Sequence, residues 1–252
     1  MDDHIRIYAA IFLSLLCAYL GFVLNWLTLD GATSATMFGI IAFGLGGLSS
    51  AIVVLAFFIS SSILSKDQIS AEGFLKRKFR RDGIQVWSNG FWFALWIIVW
   101  FLSDQHAFLV AAISSIAFAT SDTWASEVGE GRTESNTYLV TNMESVKPGT
   151  DGGVSVIGTI ASIGGALFIA FIFWTMNMEA SLFTIALIAL SGFIGNLVDS
   201  WFGATTQGKK LAPFFENLFS RQISYVDNNM VNWLAGGTAS VIALVITLIV
   251  GY

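Results

Sequence analysis

Charge is what this sequence lacks. Of its 252 residues, 12 are Lys or Arg and 17 are Asp or Glu, 12% in all, about half the usual share for a soluble domain. A soluble globule of this length needs a polar skin that so few charges do not supply. Basic charge is shortest of all. The formal net charge is −5, which excludes the broad basic surface that nucleic-acid binding needs. Cysteine is nearly absent too. Cys17 stands alone inside an apolar run, so an intrachain disulfide and a Cys-rich metal site are excluded, and Cys17 reads as a small apolar side chain. What is abundant is apolar: 55% hydrophobic residues, with 22 Phe and 9 Trp. That content excludes a disordered chain. The class is an all-α, polytopic integral membrane protein, organised as one domain over 1–252.

A bilayer core of about 30 Å takes about 20 apolar residues as a helix. Seven runs qualify: Ile5–Leu27, Ala35–Leu64, Val86–Leu102, Ala107–Thr120, Val154–Trp174, Ser181–Phe202 and Met230–Val250. Ala35–Leu64 is too long for one upright helix at about 1.5 Å per residue. It carries Gly39, Gly44, Gly46 and Gly47, so a tilt, a kink or a break is expected there. Ala107–Thr120 is short and should continue into the polar stretch after it. The first run lacks an A-x-A-like exit, so no cleavable signal is expected. With no transit segment before Ile5, the expected location is a prokaryotic plasma membrane. Eleven of the 12 bases fall in three polar loops, Ser65–Gln85, Ser121–Gly153 and Gly203–Asn229, and the twelfth is Arg6. Seven spans would put the N-terminus and these loops on one side. The positive-inside rule makes that side cytoplasmic, N-in and C-out, with the functional face in the cytoplasm.

Four stretches could carry chemistry. In 121-SDTWASEVGEG-131, Asp122 and Ser126 share a helix face, as do Thr123 and Glu127. Asp122 and Glu127 do not, and converge only if the helix breaks or if each meets a ligand from a different side. The bland alternative is a solvated helix end. In 147-KPGTDGGVS-155, Lys147 leads into a Gly149–Gly153 turn, and a helix is expected from about Val154. Its N-terminus could bind an anion, or Thr150 or Asp151 could simply cap it. In 195-GNLVDSWFGATTQ-207, Gly192, Asn196, Asp199 and Gly203 fall on one stripe. A carboxylate within an apolar span costs about 2.5–3.5 kcal/mol at mid-helix, and such residues usually face a cavity. Asn228 and Asn232 form a similar pair entering the last span. The loop from Ser65 to Gln85 holds Lys66, Arg80 and Arg81 among its bases. Most of these read as orientation signals, but Lys66 closes an apolar span where an ammonium could meet an anionic headgroup. Trp87, Trp92, Trp96 and Trp100 follow at helical spacing and read as packing or interfacial aromatics. Acids for a metal, bases for phosphate and a Gly-rich turn on one membrane face describe an enzyme that brings a nucleotide to a phosphorylated lipid.

The motifs Ser61-Ser62-x-x-Ser65-Lys66, Gln85-Val86-x-x-Asn89-Gly90, Ser121-Asp122-Thr123-Trp124-Ala125-Ser126-Glu127, Gly149-Thr150-Asp151-Gly152-Gly153-Val154-Ser155, Asp199-Ser200-x-x-Gly203-Ala204-Thr205-x-Gln207 and Asn229-x-x-Asn232 carry a resemblance over nearly the whole chain. The sequence resembles the membrane family known as domain of unknown function ninety-two, which includes the transmembrane protein nineteen group and the phytyl-phosphate kinase of tocopherol synthesis. The resemblance implies a prenyl-phosphate kinase that converts phytyl monophosphate, or a related isoprenyl monophosphate, to the diphosphate with CTP or another nucleoside triphosphate and Mg²⁺. Residues and resemblance together nominate Asp122, Glu127 and Asp199 as catalytic, and the same three with Asp151 as metal ligands. They nominate Lys66, Arg81, Asn89, Ser126, Lys147, Gly149, Thr150, Gly152, Gly153, Asn196, Gln207 and Asn232 as substrate or nucleotide contacts. Asp151 departs from the family pattern, which more often has Asn there. A carrier that binds prenyl phosphate without turnover, and a kinase of the free prenyl alcohol, stay open as alternatives.

Overall fold

The computed structural model describes residues 3–65, 80–130, 136–210 and 225–251. Helices dominate: α1 (Asp3–Val23), α2 (Leu29–Ile40) running into a π-helical turn (Ile41–Leu45), α3 (Gly47–Leu64), α4 (Gly83–Ser103), α5 (His106–Glu130), α6 (Val156–Met176), α7 (Leu182–Thr206) and α8 (Asn228–Val250). Short polar side chains set where they start. Thr28 accepts from Gly31 N–H, Ser155 from Gly158, Ser181 from Thr184 and Asp227 from Met230. At α4, Asp82 and Gln85 cap one another's backbone reciprocally. Among the described residues seven helices are long and apolar enough to cross a membrane, from His4–Val23 to Asn228–Val250, and Leu29–Leu45 is a shorter apolar helix. As expected, α5 carries the short Ala107–Thr120 run onward, to Glu130.

The core is built round α5. The apolar window of α5 is 78% buried, against 22% for α1. It packs against α3, α4, α6, α7 and α8. Small residues permit this. A Cβ on Gly165 would lie 3.0 Å from the Thr120 carbonyl, and one on Gly192 would lie 2.7 Å from Ala117 Cβ. Backbones thus approach closely, which is how apolar helices gain packing where lipid offers no hydrophobic drive. Phe118 fills the layer between Gly195 and Gly236 and is fully buried.

The Ala35–Leu64 run resolves as a break. The π turn ends at Gly46, and Gly47 takes φ +72° with open space around it, a conformation that suits glycine. The chain there reverses. At its start α2 meets α4: Leu27 bridges Arg81, and Gly83 N–H donates to Asp30 Oδ2 at 2.8 Å. At its end α3 meets the C-terminal end of α5, where Ser65 Oγ donates to Glu127. The contacts of α1 with α2 run antiparallel, Ser14 against Gly39 and Ala10 beside Gly44. The start of α1 therefore lies at the far end from the polar loops. This corrects the expectation that the N-terminus shares a face with them. The physical reason is the glycine break, which makes two antiparallel legs of what a single tilted helix would have joined. The ends of α1 and α8 that carry the described termini both lie opposite the loops.

A second correction concerns the stretch before α6. Residues expected to open the helix form strand instead. β1 (Thr137–Leu139) pairs antiparallel with β2 (Ser145–Val146) and β3 (Gly153–Ser155) in the order β2-β1-β3. Helix α6 then starts at Val156, and its cap is Ser155 rather than Thr150 or Asp151. This small sheet is the exception to the all-α expectation. It props the Gly149–Gly153 turn against the end of α7.

Candidate active site

At the loop end, α3, α4, α5, α7, α8 and the glycine turn enclose a cavity of about 390 Å³. It gathers most of the nominated side chains: Arg81, Asn89, Asp122, Ser126, Glu127, Thr150, Asp151, Asn196, Asp199, Gln207 and Asn232. Gly149, Gly152 and Gly153 line it as well. Lys147 does not. Its side chain is exposed and its contribution is a backbone carbonyl, which accepts from Thr150 N–H at 3.2 Å and from Thr150 Oγ1 at 2.7 Å. Lys66 lies outside the described residues.

Helix α5 runs unbroken through the acidic motif, so Asp122 and Glu127 face different walls, and the cavity acquires two poles. At one pole Asp122 and Asp199 are in hydrogen-bonding contact, with Asp151 near enough to interact electrostatically. Asn232, its amide nitrogen turned toward α7, donates to Asp199 Oδ1 at 3.0 Å and to the Asn228 carbonyl at 3.1 Å. At the other pole Glu127 Oε1 accepts from Ser65 Oγ at 2.6 Å. It is also the electrostatic partner of Arg81, whose Nη1 donates to Ser62 Oγ at 2.7 Å. Burial lowers the Arg81 guanidinium below its ordinary value, and Glu127 opposes that shift. An arginine remains charged under such a shift, so Arg81 is a permanent cation set into the wall.

The four carboxylates nominated for a metal divide between these poles, with Asp122, Asp151 and Asp199 at one and Glu127 at the other. Glu127 turns to Ser65 and Arg81, and among the described residues no three His, Cys, Asp or Glu side chains come together as a metal cage. The Asp122–Asp199 pair does fit Mg²⁺. That ion keeps several waters and takes one or two carboxylates plus ligand phosphates rather than an all-protein shell. Two carboxylates in contact repel one another unless a proton or a cation lies between them.

The glycine turn is held rather than floppy. Gly149 and Gly152 have φ +81° and +73°, and Gly152 lies so close to α7 that a Cβ there would come 2.5 Å from Ala204 N and 2.6 Å from Ser200 O. The stripe on α7 is as expected: Gly192 packs on Ala117, Gly203 on the Gly152 backbone, and Asn196 and Asp199 face the cavity. Beneath it, Asn196 Nδ2 donates to Ser162 Oγ at 2.7 Å, and Ser162 is bonded to Ser121 at 2.6 Å. Three helices are tied together there in a buried chain. Ser62, Ser65 and Gln85 were not nominated. Their signal was present in the motifs around Lys66 and Asn89. Trp26 also lines the cavity, and no sequence signal marked it. Of the Trp stripe, Trp87, Trp96 and Trp100 pack on the core and Trp92 donates to the Trp233 carbonyl at 2.7 Å.

These features define a multi-pass integral membrane protein with a polar, acid-and-base-lined cavity at one end of its bundle. The family described as integral membrane protein DUF92 matches residues 12–240, and the chain belongs to it. Among curated relatives, an uncharacterized membrane protein of Methanocaldococcus jannaschii is 30% identical over 215 residues, 83% of this chain and 87% of that one. Protein PGR of Arabidopsis thaliana is 27% identical over 93% of each chain. Protein VTE6, chloroplastic, of the same plant is 28% identical over 86% of this chain and 64% of its own length. No solved structure matches the chain.

Proposed function

We propose that the protein is a prenyl-phosphate kinase. It transfers the terminal phosphoryl group of CTP, or another nucleoside triphosphate, to an isoprenyl monophosphate such as phytyl phosphate. A monophosphate oxygen forms the new bond to phosphorus, the bridging bond to the nucleotide breaks, and the nucleoside diphosphate leaves. The observation that carries this reading is the two-pole cavity, with the Asp122–Asp199 pair on one wall and Arg81 on the other. Phosphoryl transfer needs positioning and charge neutralisation more than a protein nucleophile. Asp122 and Asp199 would hold Mg²⁺, which supplies positive charge against the phosphates of the donor. Asn232 orients Asp199, and the glycine turn leaves the backbone open to a close approach by phosphate. The resemblance of the motifs to a family that includes the phytyl-phosphate kinase of tocopherol synthesis supports a place in prenyl-lipid metabolism.

The test crosses CTP, ATP, GTP and UTP with several prenyl monophosphates and the free alcohols, using purified protein and Mg²⁺. Diphosphate product and nucleoside diphosphate in equal amounts are expected. Saturable binding of prenyl phosphate with no product from any pairing would make the protein a carrier. We further propose that the cavity faces the cytoplasm, because the loops at that end hold 11 of the 12 bases. Both termini then lie outside. In a Cys17→Ser background, cysteines at Asp104 and Glu179 should react with impermeant reagent in intact cells. Reaction only after permeabilisation would reverse the orientation.

A further inference from the structure

A second, apolar cavity lies among α1, α2, α3 and α4, with about 80 Å³ of free space. Its walls are Cys17, Ala35, Phe43, Val54, Leu55 and their neighbours. Arg81, Gln85 and Asn89 line it as well, and these three residues also line the polar cavity. A cation and two amides thus separate a polar chamber from an apolar slot. Resting on the kinase reading, we infer that this slot holds the head-proximal part of the acceptor's isoprenoid chain, with the acceptor phosphate at Arg81.

The chemistry of the seam supports this occupant. An isoprenyl monophosphate is a dianion joined directly to a branched hydrocarbon, and the seam joins a fixed guanidinium directly to an apolar wall. Arg81 is bonded to Ser62 and lies over the Phe58 ring at 6.0 Å, so it is pre-set for phosphate rather than free to wander. The slot is bounded by the glycine-broken hairpin, and Phe43 belongs to its π turn. Such turns recur at functional sites. Helix α1, which closes one side, is the least buried of the long helices, so a chain can enter from lipid beside it. Burial of a chain taken from lipid adds little affinity. The slot therefore selects and aligns, while Arg81 binds. A second apolar groove lies beside Trp124, lined by Ile157, Ile160 and Val128, but it shares no residue with the polar cavity.

The test is photolabelling with an isoprenyl monophosphate of two isoprene units carrying a diazirine at the chain end, on purified protein in nanodiscs, with mass-spectrometric mapping. Label is expected on α1–α3 around Cys17, Phe43 and Val54, and excess unlabelled isoprenyl monophosphate should compete it away. Val54→Phe should lower it at least tenfold, and Ile160→Phe by less than twofold. Ala35→Leu serves the same purpose as Val54→Phe should that variant fail to fold. Label centred on Ile157–Ala161, or label in the slot that excess monophosphate does not compete, would overturn the inference. Competed slot label from a protein that turns over no monophosphate would retire the kinase reading and leave the slot. Turnover with no slot label would do the reverse.

Discussion

The two halves of the bundle are built by opposite means. The half made of α5 to α8 is tied together by close backbones and a buried hydrogen-bond chain through Ser121, Ser162 and Asn196. The half made of α1 to α3 is a hairpin broken at Gly46–Gly47, with much of α1 exposed on its outer side. The acids proposed to hold a metal stand on the tied half, and the apolar slot opens in the hairpin. Chemistry needs side chains fixed to within a fraction of an ångström. Admitting a chain of lipid needs walls that give. The bundle separates the two demands by place.

The largest expected effects therefore fall on the tied half. Asp199→Asn or Asp122→Asn should lower kcat by about 10²–10³, the usual loss when a charge-stabilising group leaves a phosphoryl-transfer site. Fold should survive, because Asn keeps the shape. The check is steady-state turnover beside a melting curve, and near-normal rates in both variants would remove the pair from the site. Next comes Gly152→Ala. It adds a Cβ against Ala204 and Ser200 at a positive φ, so the turn must shift, and we expect turnover to fall about tenfold with strain of about 1–2 kcal/mol. Gly47→Ala sharpens the comparison. Its φ is also positive but the space round it is open, so stability should fall by about 1 kcal/mol with turnover kept. Equal losses of turnover at both glycines would mean that the hairpin is as tightly coupled to the chemistry as the turn is.

Much of this division was legible in the sequence, and the part that was not has physical reasons. A carboxylate within an apolar run is expensive, so Asp199 announced a cavity before any helix was placed. Asp122 and Glu127 lie off each other's face on a continuous helix, so their placement at two poles follows from helix geometry, but a helix break and a plain solvated helix end read equally well from the sequence. The break at Gly46–Gly47 was less legible. Four glycines in a long run allow a tilt, a kink or a break, the position of Arg6 argues against a reversal, and tertiary contacts with α1 and α4 nonetheless produce one. The sheet was invisible because strands of two or three residues have no periodicity to read. The Ser65–Glu127 and Arg81–Ser62 pairs join residues 62 and 19 positions apart. Neither spacing follows from a local pattern.

The smallest expected effect belongs to neither half. Lys147 abuts the glycine turn in sequence, and by position alone it ranks beside Lys66 as a phosphate ligand. Its side chain nonetheless stands in solvent outside the cavity lining, and what the turn uses is its carbonyl, which any residue supplies. An exposed charge acts on a buried site only through water and salt, and over such a path it is worth little. Lys147→Ala should therefore change kcat/KM for either substrate by less than about threefold, and the change should shrink further as ionic strength rises. Arg81→Ala in parallel should raise KM for the acceptor by at least about tenfold, since a charge-assisted hydrogen bond contributes about 1.5–3 kcal/mol. A loss at Lys147 that matches the loss at Arg81 and resists salt would mean that the ammonium folds into the cavity when substrate binds, and that the turn carries a third pole.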